Sequence, residues 1–111
     1  MNNEGKKFLH DILLSIVFIE EQVGEIKIYA NYKSNEMLKS AVERKIEIIG
    51  EALNRVVKII PDIPITNKEK IIGTRNRIIH AYDSVDDIMM WEIVIKHLPI
   101  LRKEVEKLLN D

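Results

Sequence analysis

The amino-acid sequence predicts an all-α protein, an antiparallel bundle of four helices in which the third helix is short. Apolar residues recur every three or four positions along most of the chain, which is the spacing of one helix face. Proline and capping residues separate these stretches, and no stretch of useful length alternates apolar and polar residues as a strand does. The 111 residues suffice for one hydrophobic core, so we expect a single domain spanning residues 1–111.

The first two predicted helices follow from apolar stripes and from the residues that interrupt them. The first runs from about Lys6 to Ala30, and its stripe includes Ile26. Ser34 is the predicted N-cap of the second helix, because a serine hydroxyl can accept a free N–H of the first turn. Pro61 ends that helix, since proline has no N–H to donate and restricts the residue before it.

The remaining two helices are predicted from capping patterns. Thr66 and Glu69 have the spacing of a capping box and predict the start of the short third helix. Ser84 repeats the start signal for a long fourth helix, which Pro99 is expected to kink. The short connections between these helices favour antiparallel neighbours.

Composition excludes several classes of protein and of site. The chain has no cysteine, which excludes disulfide scaffolds, thiolate zinc sites and cysteine nucleophiles. No apolar run approaches the ~18 residues of a membrane span and no leader-like segment begins the chain, so we expect a cytoplasmic protein without a membrane partner. His10, His80 and His97 fall on three predicted helices, so we expect neither a metal site nor a cofactor.

Charge is distributed unevenly around the third helix. The whole chain has a net charge of −1, whereas residues 66–80 carry +3 and residues 81–94 carry −4. A local basic patch of this size can bind a phosphate at one place. It would not coat a long polyanion.

The most informative stretch has the pattern Arg-x4-His-x-Tyr, formed by Arg75, His80 and Tyr82, with Asn76 after the arginine. Arginine and histidine together suit phosphodiester transfer within RNA. A histidine can take the proton from a 2′-hydroxyl or give one to the leaving 5′-oxygen, and an arginine can hold the doubly charged phosphorane. The 2′-hydroxyl of the substrate is the nucleophile, and Asn76 could orient the imidazole or bind the phosphate.

Helical geometry predicts different faces for these residues. At about 100° per residue, Tyr82 falls on the core face with Ile71, Arg75 falls within the apolar arc, and Asn76 and His80 lie opposite. Arg75 and His80 are then about 140° apart around the helix. Either the helix loosens before His80, or two copies of the chain share one site across a twofold interface.

Structural roles remain open for two of these residues. Arg75 can extend its stem along apolar surface, or form a buried ion pair with Glu47 or Glu51. Tyr82 can be a residue at the edge of the core with its hydroxyl at the surface. Neither of these structural roles depends on the binding of RNA.

Beside the Arg-x4-His-x-Tyr pattern, several segments carry a resemblance to a known family: Ala41–Ala52, Ile71–Tyr82, Val85–Asp86, Trp91 and Leu98–Pro99. Over nearly its whole length the chain resembles the HepT-like ribonuclease toxins of the HEPN superfamily. The resemblance implies an HEPN-type helical bundle, a homodimer with the motif at the cleft between protomers, and metal-independent cleavage of RNA. Pro64–Asn67 departs from the pattern, because it lacks the aromatic residue that often follows this proline in relatives.

The resemblance also implies roles for individual residues. Arg75 and His80 would be the catalytic pair, and Asn76 the supporting polar residue. Tyr82 matches the tyrosine that a minimal nucleotidyltransferase antitoxin of the MntA type modifies with AMP, as in a type VII-like toxin–antitoxin system. Two other hypotheses are a non-catalytic helical partner or nucleotide-binding module of a nucleotidyltransferase, and a structural bundle with a chance motif.

Overall fold

The computed structural model describes residues 1–111, and every regular element in it is helical. A π turn (Ile93–His97) joins the last two helices into one continuous rod, and a 3-10 turn (Tyr82–Ser84) follows the fourth. The helices in chain order are α1 (Asn3–Val23), α2 (Tyr29–Lys33), α3 (Glu36–Ile59), α4 (Lys68–His80), α5 (Asp87–Glu92) and α6 (Leu98–Asn110).

Helix α3 lies at the centre of the bundle. It packs against both α1 and α4, and α6 packs against α1. Twenty buried apolar residues form one continuous core, to which α3 contributes residues such as Ile46, Ile49 and Leu53 at helical spacing. The predicted all-α bundle is confirmed. No helix combines the length and the apolar character that a membrane crossing requires.

The first helix is shorter than predicted. Helix α1 ends at Val23 because Gly24 adopts a φ of 80°, a left-handed conformation that glycine reaches without steric cost. The N–H of Gly24 bonds to the carbonyl of Glu20 at 2.9 Å. The chain then turns into α2, which the periodicity did not predict, and Ile26 is 77 % exposed rather than part of the core.

Two helix starts lie beside the residues predicted for them. Asn35, not Ser34, caps α3, and Asp86, not Ser84, caps α5. Each cap accepts an N–H from the first turn of its helix, at 3.0 Å and 2.7 Å respectively. The amide oxygen of Asn35 and the carboxylate of Asp86 accept the N–H that a serine hydroxyl was predicted to accept. The predicted cap is therefore displaced by one residue in α3 and by two residues in α5.

The predicted capping box of the third helix does not form. Helix α4 begins at Lys68 without a side-chain cap. Thr66 instead bonds to the carboxylate of Glu104 on α6, through its hydroxyl at 2.6 Å and its backbone N–H at 3.0 Å. The connection before α4 is therefore tied to the C-terminal helix rather than to Glu69.

The predicted irregularity at Pro99 takes the form of the π turn. Pro99 cannot donate to the carbonyl four residues earlier, and its ring would clash there in a regular helix. The N–H of Leu98 bonds to Ile93 five residues back, which widens the turn before the proline. On the same rod, Trp91 lies against the core, with its ring 5.1 Å from that of buried Tyr32.

Candidate functional site

Arg75 lies where α4 makes its tightest contact with α3. A Cβ added to Gly50 would lie 2.3 Å from Cβ of Arg75 and 2.9 Å from its Cγ, so this contact requires glycine at residue 50. Gly50 was not among the candidate residues predicted from the sequence. The available signal was an isolated glycine inside a strongly helical stretch, which often marks a close packing contact.

The guanidinium of Arg75 is held by two neighbours. Its Nη2 forms an ion pair with Glu51 Oε2 at 2.6 Å, and its Nη1 donates to Asn76 Oδ1 at 2.9 Å. The Nε is buried and has no partner. Of the two predicted ion-pair partners, Glu51 is therefore the correct one, and Glu47 pairs with Arg44 instead.

Glu51 also binds a second arginine. Its Oε1 accepts from Nε of Arg55 at 2.9 Å, one helical turn further along α3. The hydrogen bond from Arg55 lowers the pKa of Glu51, and the charge of Arg75 lowers it further against the opposing effect of partial burial. Glu51 is thus an ionised carboxylate between two guanidinium groups.

An open cleft of about 220 Å³ borders the Arg75 side chain, which is 20 % exposed. Three arginines and three carboxylates line it, so its formal charge is balanced. Arg75 nevertheless keeps two Nη–H donors beyond those bound to Glu51 and Asn76, because a guanidinium has five donors and the Nε–H is buried. The charged residues lining the cleft are Asp11, Arg44, Glu47, Glu51, Arg55 and Arg75.

His80 is the last residue of α4 and is exposed. The helix stays regular up to this point, and the N–H of Ala81 still bonds to the carbonyl of Arg77 at 2.9 Å. The helix therefore does not loosen before His80, and that predicted alternative is wrong. Arg75 and His80 remain about 140° apart around one helix and do not converge within a single copy of the chain.

Of the other two candidates, Asn76 is exposed as the helix wheel predicts, whereas Tyr82 lies where the wheel did not place it. Asn76 bonds to Arg75 and not to His80. Tyr82 is 60 % exposed on the 3-10 turn rather than on the core face, because α4 ends two residues before it. Its hydroxyl lies 3.5 Å from Glu43 Oε2, and this interaction raises the pKa of Tyr82 because the carboxylate disfavours a second negative charge.

The turn that carries Tyr82 is fixed by Arg77. Its Nε donates to Ser84 Oγ and its Nη2 donates to the Ser84 carbonyl, each at 3.1 Å. Ser84 Oγ in turn donates to the carbonyl of Ala81 at 2.6 Å. The sequence indicated only the positive charge of Arg77, because no local pattern predicts a hydrogen bond between side chains seven residues apart.

The other histidines lie apart from this site. His10 is exposed on α1, and His97 is half-buried in the π turn, 3.6 Å from Glu92. No group of three or more His, Cys, Asp or Glu side chains is arranged to hold a metal ion.

Comparisons with known proteins agree on one family. The family model described as ribonuclease HepT-like matches residues 12–108. A provisionally named RNase of Methanocaldococcus jannaschii is 38 % identical over 105 residues, which cover 91 % of this chain and 93 % of that protein. A provisionally named ribonuclease HepT of Thermococcus cleftensis is 33 % identical over 112 residues, which cover 97 % and 98 % of the two chains. No solved structure gives a significant match.

Proposed function

Because the chain belongs to the HepT-like ribonuclease family, we propose that it is a metal-independent endoribonuclease that uses Arg75 and His80. The observation that carries the proposal is the accessibility of both groups. Arg75 borders an open cleft with two Nη–H donors unused, and His80 is exposed at the end of α4. Neither side chain is sealed within the core, as a purely structural pair would be.

The proposed reaction is transfer within the RNA backbone. The 2′-oxygen attacks the adjacent phosphorus, a 2′-oxygen–phosphorus bond forms, and the bond to the 5′-oxygen breaks. His80 takes the 2′-hydroxyl proton, and the imidazolium that this forms gives the proton to the leaving 5′-oxygen. The guanidinium of Arg75 holds the phosphorane oxygens, whose charge increases in the transition state. The products are a 2′,3′-cyclic phosphate and a 5′-hydroxyl.

We further propose that the working unit is a homodimer. A regular helix holds Arg75 and His80 on different faces, so the residues converge on one phosphate only if a second copy supplies one of them. A twofold interface supplies this arrangement with a single self-complementary surface. The side chain of Ile79, next to His80, is 41 % exposed and offers apolar area for such a contact.

The proposed regulation acts through Tyr82. A minimal nucleotidyltransferase antitoxin would transfer AMP from ATP to the phenol oxygen, with release of pyrophosphate and of the phenol proton. Tyr82 is exposed on a defined turn two residues after His80, which suits a modified residue. The added AMP would bring bulk and negative charge next to the site and repel the phosphates of RNA. In this proposal the chain is the toxin of a type VII-like toxin–antitoxin pair in the cytoplasm.

The test of the activity is RNA cleavage by the purified protein in EDTA. We expect Arg75→Ala and His80→Ala each to lower the cleavage rate by at least ~10²-fold without lowering helicity by circular dichroism. His10→Ala is the matched control, because it removes an exposed histidine from another helix. Equal cleavage by wild type and both site variants would contradict the assignment.

The test of the regulation is the intact mass after co-expression with the cognate nucleotidyltransferase. We expect AMP adducts on the wild type and on Tyr29→Phe, but none on Tyr82→Phe. Adducts of equal number on Tyr82→Phe would refute the modified residue.

A non-catalytic partner of the nucleotidyltransferase is the second candidate. The ion pair between Arg75 and Glu51 favours it, because this contact explains the arginine without RNA. In that case the wild type would accept AMP on Tyr82 and still cleave no RNA in EDTA or with added Mg²⁺ or Mn²⁺. The two measurements together therefore separate the candidates.

A further inference from the structure

We propose that Glu51 is a positioning residue for the ribonuclease site, because it orients the Arg75 guanidinium so that the unused N–H groups face the scissile phosphate. The inference rests on the proposed function, since it assigns Arg75 to the phosphate. It adds a residue of α3 to a site otherwise formed by α4.

Two neighbouring residues of α3 fix the two ends of the Arg75 side chain. The Cβ and Cγ of Arg75 pack closely against Gly50, and this contact fixes the stem of the side chain. Glu51 binds Nη2 at 2.6 Å, which fixes the head. Asn76 also binds the head, but its amide is neutral and exposed, so without Glu51 the last torsions of Arg75 would keep more rotamer freedom and would lose it on binding RNA. Glu51 therefore orders the guanidinium before substrate arrives.

Glu51 can do this because its own carboxylate is fixed. Arg55 binds one oxygen at 2.9 Å and Arg75 binds the other, so each oxygen has one guanidinium partner. The contact with Arg55 spans one turn of α3 and sets the orientation of the carboxylate from within the same helix. Arg55 thus orients the carboxylate of Glu51, and this carboxylate orients the guanidinium of Arg75.

The charge balance of this trio still suits a phosphate. Two guanidinium groups around one carboxylate leave a net charge of +1, so the negative charge of Glu51 does not prevent an anion from binding. Glu47 differs from Glu51 because it does not bind Arg75. It lines the same cleft and pairs with Arg44 at 3.2 Å, but no bond connects it to Arg75.

The test compares Glu51→Ala and Glu51→Gln with Glu47→Ala in the EDTA cleavage assay. We expect Glu51→Ala to lower kcat by ~10²-fold with KM changed less than ~3-fold, because misorientation of a bound group affects the transition state most. Glu51→Gln keeps an acceptor oxygen at this position and should lie between Glu51→Ala and wild type. Glu47→Ala should retain kcat within about twofold of wild type.

A second measurement needs no activity. The Nε–H resonance of Arg75, assigned by its loss in Arg75→Lys, should exchange slowly with water in wild type because this group is buried. It should exchange faster or broaden in Glu51→Ala and stay unchanged in Glu47→Ala. If wild type cleaves no RNA, the proposed function fails, while this resonance still decides whether Glu51 orders Arg75.

Three results would overturn the inference. One is a kcat of Glu51→Ala within twofold of wild type, and another is an unchanged Arg75 resonance. The third is a fall in KM at constant kcat, which would make Glu51 a competitor of RNA for the guanidinium. Helicity by circular dichroism accompanies each variant, and Glu51→Gln takes the place of Glu51→Ala in every comparison if the alanine variant does not fold.

Discussion

The Cβ of Arg75 packs so closely on Gly50 that a methyl group at residue 50 would lie 2.3 Å from it. The same methyl group would lie 3.2 Å from the backbone carbonyl of Ile71, so a side-chain rearrangement alone cannot make room for it. Helices α3 and α4 would have to separate. The position of Arg75 beside Glu51 therefore requires glycine at residue 50, because any side chain there would occupy the space of the Arg75 stem.

We predict that Gly50→Ala and Gly73→Ala change stability in opposite directions. Both residues lie inside helices, where alanine gains about 0.5–1 kcal/mol over glycine. An added Cβ meets nothing within 4 Å at Gly73, so that variant should be stabilised by about this amount. At Gly50 the overpacking costs about 1–3 kcal/mol and should exceed the gain. Urea unfolding followed by circular dichroism measures both, and equal stabilisation of the two variants would contradict the tight contact.

The sequence was sufficient for the helical class and for one contact of the site. Apolar periodicity identifies the long helices because burial of one face decides their stability. The ion pair of Arg75 with Glu51 was one of the predicted roles of this arginine, beside a stem extended along apolar surface and an ion pair with Glu47. Spacing along α3 could not choose between these two acids, which lie one turn apart.

Other features depend on side-chain contacts between residues that lie too far apart in the sequence for a local pattern to predict them. Tyr82 was assigned to the core face on the assumption that α4 continues, but Arg77 binds Ser84 and the chain turns after His80. Thr66 had the pattern of a capping box, yet its hydroxyl and its N–H both donate to the carboxylate of Glu104 on α6. The first contact spans seven residues and the second spans 38, so neither lies within the single helical turn that a local pattern describes.

We predict that the stabilising effect of Glu51 depends on pH. Bonds from Arg55 and the charge of Arg75 lower the pKa of Glu51 in the folded chain. The effect is therefore complete above the unfolded carboxyl pKa of about 4.3, and it is lost as the pH falls through the lower folded value. The difference in Tm between wild type and Glu51→Gln should be largest near pH 7 and shrink below about pH 4. A difference independent of pH would show that the charge of Glu51 does not stabilise the fold.

We predict that Arg77→Lys loosens the turn that carries Tyr82. An ammonium group lacks the planar fork with which Arg77 reaches both Oγ and the carbonyl of Ser84. Because these bonds are exposed, global stability should fall by only ~1 kcal/mol or less. Amide hydrogen exchange within residues 82–85 should nevertheless become faster. Arg44→Lys is the control on a different helix, and equal exchange of the turn in both variants would contradict the role of Arg77.

We predict that a mixed dimer of Arg75→Ala and His80→Ala regains activity that neither variant has alone. If each site takes Arg75 from one copy and His80 from the other, the mixed dimer contains one site with both residues and one with neither. Its rate should then approach about half that of wild type. Two different affinity tags allow the mixed dimer to be isolated from both parent homodimers before the EDTA assay. A mixed dimer as inactive as its parents would contradict this sharing of residues, because a site with one arginine and one histidine from opposite copies would survive the pairing.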